Sequence, residues 1–207
     1  MIPKFKRRYC RKLFTWKELE YLINIRPLMT NERLSFYENI TYEWEDNDCW
    51  NLDPNCYPPS LIKEILERGV CLFNDMSRCT PKINSFAKGL EKLNHLPCSA
   101  HIYVCRNPKA EHPFGIHFDT SDNVIVQCEG KTNFKVWDQV KDRSQVQDHM
   151  TLNDSPLLDV DMNPGDAIWI PRYHPHLATS KTSRMGVTFS QSNYLPTQFQ
   201  DREWIKL

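Results

Sequence analysis

The spacing of apolar residues changes once along this chain. Up to about residue 95 they recur at helical intervals, and from residue 98 they alternate with polar ones. Thr15-Trp16-Lys17-Glu18 has the form of a capping box. Trp16, Leu19, Leu22 and Ile23 follow on one helical face up to Pro27. Ser60 is placed to cap a second helix whose stripe is Leu61, Ile62, Ile65 and Leu66, with Gly69 as its stop. Val70–Phe73 reads as a short buried strand. Thr80-Pro81 sets a cap and a first-turn proline before a third helix reaching about Leu93.

The alternating region predicts eight strands. They are Cys98–Cys105, Gly115–Asp119, Asn123–Glu129, Lys131–Asp138, Leu157–Met162, Asp166–Pro171, His174–Thr179 and Arg184–Gln191. Gly130 and Asn163-Pro164-Gly165-Asp166 supply turns between them. Eight short strands within about 95 residues fit a double-sheet jelly roll of the cupin type. The expectation is a mainly β fold, a double-stranded β-helix preceded by amino-terminal helices. It forms a single domain over 1–207, with a helical and irregular annex at about 1–95, the jelly-roll core at about 96–192 and a tail at 193–207.

Composition narrows the picture. Of the 207 residues, 40% are hydrophobic and 12% aromatic, a globular balance. Lys+Arg and Asp+Glu each number 26, so no net field draws the chain to nucleic acid or to an anionic membrane. The start, Met1 to Arg8, is basic but leads into no apolar signal, and no run approaches a membrane span. A soluble cytoplasmic protein is expected. The eight cysteines, at 10, 49, 56, 71, 79, 98, 105 and 128, form no C-x-x-C pair. They read as reduced, packed thiols, with Cys49/Cys56 and Cys98/Cys105 the pairs that could do otherwise. Residues 41–59 form an acidic, aromatic stretch. With Tyr37 it brings together Tyr42, Trp44, Trp50 and Tyr57, a cover for the barrel or a groove wall for a basic peptide.

Candidate chemistry begins at His117-Phe118-Asp119. Positions i and i+2 of a strand share a face, so this imidazole and carboxylate can converge on one metal ion. Alone the signal is weak, since 7 His and 14 Asp produce about half such a tripeptide by chance. A third ligand must come from elsewhere, and His174-Pro175-His176 offers two histidines on one predicted face. Two His and one carboxylate make a facial triad that leaves positions open on Fe(II).

Longer segments resemble the JmjC-type cupin oxygenases, most closely their bacterial and ribosomal-oxygenase branch. Pro164-Gly165-Asp166, the apolar Ile168-Trp169-Ile170, Pro171 and then Pro175-His176 match one segment in order. Gly115 to Asp119, Gln127 to Gly130 and Phe134 to Trp137 match the "H-x-D, Q-x-x-G, W-x-V" hairpin. Gly69 to Phe73, Pro81 and His101-Ile102-Tyr103 also fall in sequence, so the likeness covers roughly residues 60 to 192. The resemblance implies that His117, Asp119 and His176 bind Fe(II) and carry catalysis, with 2-oxoglutarate as cosubstrate and O2 as oxidant. His174 would then be a rim or exposed residue. It also implies hydroxylation of a protein or peptide side chain. A small-molecule oxygenase, or a silent cupin acting as a binding module, are the alternatives. The chain's end at Leu207, without the further carboxy-terminal domains of ribosomal oxygenases, speaks against a ribosomal substrate.

Two departures from the family pattern stand out. Where it has a lysine for the distal carboxylate of 2-oxoglutarate, this chain has Thr132, and the adjacent Lys131 faces the other way on a strand. Arg184, on the last strand, is the expected replacement, with the Thr132 hydroxyl beside it and Tyr103 as a further donor. The alternative for Arg184 is an exposed turn residue. The second departure is His101, where the family has an asparagine near the cosubstrate; it reads either as a cosubstrate contact or as a satisfied core histidine.

Overall fold

The protein is represented by a computed structural model, in which the structure describes residues 2–25, 34–37, 59–108, 115–140, 152 and 154–192. Among the described residues ten strands and three helices follow in chain order: β1 Lys4–Lys6, α1 Trp16–Ile23, β2 Leu34–Tyr37, α2 Pro59–Arg68, β3 Val70–Phe73, α3 Pro81–Asn94, β4 Ser99–Cys105, β5 Asp122–Glu129, β6 Thr132–Val136, β7 Leu158–Met162, β8 Ala167–Ile170, β9 His176–Ser180 and β10 Arg184–Gln191. They pair into a seven-stranded sheet, β1-β8-β5-β10-β4-β3-β2, and a three-stranded sheet, β7-β6-β9. Every strand pair is antiparallel.

Alternation along the strands builds two cores. One face of the large sheet sends Ala100, Ile102, Val104, Val124, Val126, Trp169, Val187 and Phe189 against Leu19, Leu22, Ile62, Leu66, Ile83 and Leu90 of the three helices. The other face meets the small sheet, where Ile125, Ile168 and Ile170 pack on Phe134, Val136, Met162 and Ala178. This is the two-sheet sandwich of a jelly roll. Strand β5 is buried on both faces, which is why its sequence reads as a nearly continuous apolar run.

The helix signals act as their chemistry requires. Thr15 accepts from Glu18 N at 3.3 Å, while its hydroxyl donates to the Glu18 carboxylate at 2.8 Å. The helix ends at Ile23, with Asn24 as its cap, before Pro27 is reached. Thr80 caps α3 through Ile83 N at 3.2 Å, and Pro81 occupies the first turn. Helix α2 starts at Pro59, so Ser60 lies inside its first turn rather than at its cap.

The strand expectations need three corrections. Gly115–Asp119 forms no strand, only an isolated antiparallel bridge between His117 and His176. Strand β9 starts at His176, two residues later than expected, because the turn before it runs through Tyr173 at φ 63. Strands β1 and β2 were not anticipated; three or four residues carry too little alternation to register. No disulfide joins the six described cysteines, Cys98 and Cys105 among them. The aromatic stretch 41–58, Cys49, Cys56 and the tail 193–207 lie outside the described residues. Among the described residues no helix is long and apolar enough to cross a membrane.

Candidate metal centre and its pocket

Between the two sheets lies a pocket built by the same two-residue alternation. It is lined by Asn123, Ile125 and Gln127 of β5, His176 and Ala178 of β9, and Arg184, Gly186 and Thr188 of β10. Tyr103, Phe134, His117 and Asp119 complete it.

At one end three side chains converge. One ligand atom from each of His117, Asp119 and His176 lies within 4.8 Å of the other two, and no other such group of three occurs among the described residues. The bridge that brings them together is reciprocal. His176 N donates to His117 O at 2.7 Å, and His117 N donates to His176 O at 3.2 Å. Each ring is aimed by its own backbone: His117 Nδ1 lies 3.2 Å from Gly115 O, and His176 Nδ1 lies 3.0 Å from His174 O. That assigns the proton to Nδ1 and leaves Nε2 with a lone pair, as in a metal-binding imidazole. Asn123 donates its amide to the Asp119 carboxylate, fixing the third group. His176 Nε2 and Asp119 Oδ2 stand 3.6 Å apart. Burial pushes the His176 imidazole down to about 4, with Asp119 opposing and His117 adding to the shift, so the ring is neutral at pH 7. Two imidazoles and a carboxyl group are the donor set that suits a divalent first-row metal.

The opposite end is cationic and under-satisfied. Arg184 is 3% exposed, so it is a core residue rather than an exposed turn residue. Its Nε donates to Ser180 Oγ at 2.7 Å, whereas one terminal nitrogen, Nη2, is buried without a hydrogen-bond partner. Burial lowers its pKa, opposed by Cys105 and Tyr103, yet a guanidinium remains charged. Thr132 is fully buried and its Oγ1 also lacks a partner, but like Ser180 it stands behind the pocket lining rather than in it. Ser180 links the two, since it faces Thr132 in the β6–β9 register and bonds Arg184. A buried cation and hydroxyl with spare hydrogen-bonding capacity suit the oxygen atoms of an anion.

The remaining expected residues fall elsewhere. Lys131 is exposed and does not line the pocket. His101 shares the Tyr103 face of β4 but is held at both ring nitrogens, by Asn74 Oδ1 at 3.2 Å and Ser99 Oγ at 3.0 Å. It too lies outside the lining. His174 is neither exposed nor at a rim: at 1% exposure it is buried, with Nδ1 3.2 Å from Arg172 O.

Asn123 and Ser180 are given no role by the sequence, and Gln127 only a place in the matched hairpin. Asn123 and Gln127 were visible in principle, as polar residues in phase with Ile125 on an otherwise apolar strand. Ser180 depends on the β6–β9 register, for which the sequence carries no sign.

A jelly roll whose inter-sheet pocket brings two histidines and an aspartate together has the architecture of a cupin with a donor set that could hold a metal ion. A family model for the JmjC domain matches residues 77–200, more than half of the chain, and the chain belongs to that family. Curated relatives are distant. The bifunctional lysine-specific demethylase and histidyl-hydroxylase NO66 of Drosophila persimilis is 22% identical over 178 residues, covering 82% of this chain and 25% of that protein. The NO66 of Drosophila sechellia is 19% identical over 207 residues, covering 94% and 30%. The X-ray structure of Escherichia coli ycfD shares the fold with a TM-score of 0.63 at 16% identity, covering 95% of this chain and 51% of that one. The E. coli ribosomal oxygenase YcfD in complex with cobalt and 2-oxoglutarate gives 0.60 at the same identity, covering 95% and 49%. The chain thus spans under a third of the curated relatives' length and about half of the structural ones'.

Proposed function

We propose that this chain is an Fe(II)- and 2-oxoglutarate-dependent oxygenase that hydroxylates a protein side chain. The observation that carries the reading is the grouping of His117, Asp119 and His176 within 4.8 Å at one end of a pocket whose other end holds a buried arginine. The three side chains would hold Fe(II) and leave positions for a 2-oxo acid and O2. Arg184 would meet the distal carboxylate of 2-oxoglutarate through its unpartnered nitrogen, with Thr132 and Ser180 as hydroxyl partners and Tyr103 nearby. Iron held there would supply the oxidative decarboxylation of 2-oxoglutarate by O2, with one oxygen atom entering succinate, CO2 released and the other oxygen atom placed on a substrate C–H carbon.

This chain's own residues orient and shield. Asn123 holds the carboxylate, the carbonyls of Gly115 and His174 hold the imidazoles, and Ile125, Phe134 and Ala178 keep the middle of the pocket apolar. A protein substrate is favoured because the named relatives are a histidyl-hydroxylase and a ribosomal oxygenase. Free thiols and a ferrous ion both suit the cytoplasm. The test is succinate formation from 2-oxoglutarate by anaerobically reconstituted protein on admission of O2, followed by a search of host protein digests for a +16 Da residue. Turnover abolished by His176→Ala supports the proposal. A metal-loaded protein that forms no succinate would leave a binding module instead.

A further inference from the structure

We propose that the exposed basic segment made by β1 and the turns after it docks the phosphate backbone of a nucleic acid. The zero net charge of the chain conceals a strong asymmetry. Six of the 26 basic residues and none of the 26 acidic ones lie in the first fourteen positions. That leaves 20 basic against 26 acidic residues, a net −6, on everything that follows. The six are Lys4, Lys6, Arg7, Arg8, Arg11 and Lys12, and all are exposed.

The fold holds this segment in place rather than leaving it as a tail. Strand β1 forms the edge of the seven-stranded sheet, pairing Lys4 with Trp169, Phe5 with Ile168 and Lys6 with Ala167. Pro3 is buried, and Phe5 packs into the inter-sheet core. Arg8 N donates to the buried Asp166 carboxylate at 2.9 Å, and Cys10 N donates to Gly165 O at 3.0 Å. Three of the cations lie over aromatic rings: Lys4 at 5.7 Å from Trp169, Lys6 at 5.2 Å from Tyr9 and Arg7 at 5.4 Å from Phe5. Cations whose stems are already ordered lose less entropy on meeting an anion.

Lysines on an edge strand have an ordinary explanation, since they discourage strand addition. That explanation accounts for Lys4 and Lys6 but not for the four cations beyond the strand. Six cations within nine residues suit a polymer with closely spaced negative charges, which a nucleic acid strand has at about 3.4 Å intervals. A membrane surface is less well served, because beside these cations one large apolar residue, Ile2, is exposed, whereas interfacial anchoring draws on a whole apolar face.

The experiment is fluorescence anisotropy of a labelled uridine oligonucleotide of about 20 residues with the full chain, across about 50 to 200 mM salt. The expected log–log salt slope is about −3 to −4, near −0.7 for each phosphate neutralised on a single strand. The quadruple variant Lys4→Gln, Lys6→Gln, Arg11→Gln, Lys12→Gln spares Arg7 and Arg8 beside Asp166. It should lose about tenfold or more in affinity at low salt and flatten the slope by about 2 to 3. Circular dichroism of the variant and the wild-type slope together keep the test decisive if the variant folds poorly. The proposal is overturned if the wild-type chain does not bind at about 50 mM salt, or if a folded variant binds with unchanged affinity and slope. It is equally overturned if polyglutamate of equal length, or vesicles rich in phosphatidylserine, bind more tightly than the oligonucleotide.

Discussion

Replacing Arg184 with methionine separates a binding role from a structural one, because a binding role weakens 2-oxoglutarate with the fold intact and a structural role does the reverse. In the ligand-free protein the guanidinium is buried, makes one hydrogen bond to Ser180 and keeps one nitrogen unsatisfied. Losing that bond costs about 1 to 3 kcal/mol. Removing a buried charge in favour of an apolar chain of similar volume returns about 1 to 4 kcal/mol. The two nearly cancel, at about 2 kcal/mol each, so the ligand-free variant should stay within about 2 to 3 kcal/mol of the wild type. For a domain of this size that is a Tm within about 10 °C of the wild type, with no fixed sign. Binding of 2-oxoglutarate carries the loss instead. Truncating one partner of a buried charged pair costs about 2 to 5 kcal/mol, which is about 30-fold to about 4,000-fold in Kd.

The assay pairs thermal unfolding with anaerobic calorimetry of the Fe(II)-loaded protein, using 2-oxoglutarate and 2-oxobutyrate. The second acid lacks the distal carboxylate, so its affinity should change little in Arg184→Met. Equal weakening of both acids would refute the clamp. So would a Tm several degrees lower in the ligand-free variant with 2-oxoglutarate affinity intact, which would make Arg184 a structural residue.

Three further outcomes follow from the same geometry. Lys131→Ala should leave 2-oxoglutarate affinity within about twofold by the same calorimetry, since an exposed side chain outside the lining has no pocket contact to lose. Gly130→Ala should destabilise the fold by about 2 kcal/mol or more in urea unfolding, because φ is 67° and the added Cβ would collide with Ser183 O. Metal-free protein should lose stability as pH falls: with His176 near 4 folded and about 6.5 unfolded, the unfolded chain binds the extra proton between those values. Its contribution is complete above about pH 6.5 and disappears as pH drops towards 4, and His176→Asn should flatten the stability–pH slope there by about one proton.

Much of this molecule was legible in its sequence because its strands alternate and its caps obey local chemistry. The Thr15 and Thr80 caps and strand β10 stand where the pattern put them. The H-x-D pair and His176 were readable as three donors that could meet, and Arg184 as a residue of the barrel interior, from the gap that Thr132 leaves in the family pattern. What was not legible depends on register and on turn geometry. His174 and His176 share a face only if the strand begins at His174. The left-handed Tyr173 and the bond from Tyr173 N to Asp119 O delay it by two residues, and His174 turns into the protein. Ser180 acquires its place only when β9 pairs with β6, and three residues of edge strand at Lys4–Lys6 are too few to announce themselves.

The central claim is that His117, Asp119 and His176 act together as one metal site. Anaerobic titration of the metal-free protein with Co(II), followed by visible absorption and calorimetry, tests it most directly. One equivalent should bind to the wild type, with a ligand-field spectrum that shifts when 2-oxoglutarate is added, and Asp119→Ala or His176→Ala should each abolish it. A wild-type protein that takes up no stoichiometric Co(II), or one whose binding survives both substitutions unchanged, would contradict the account.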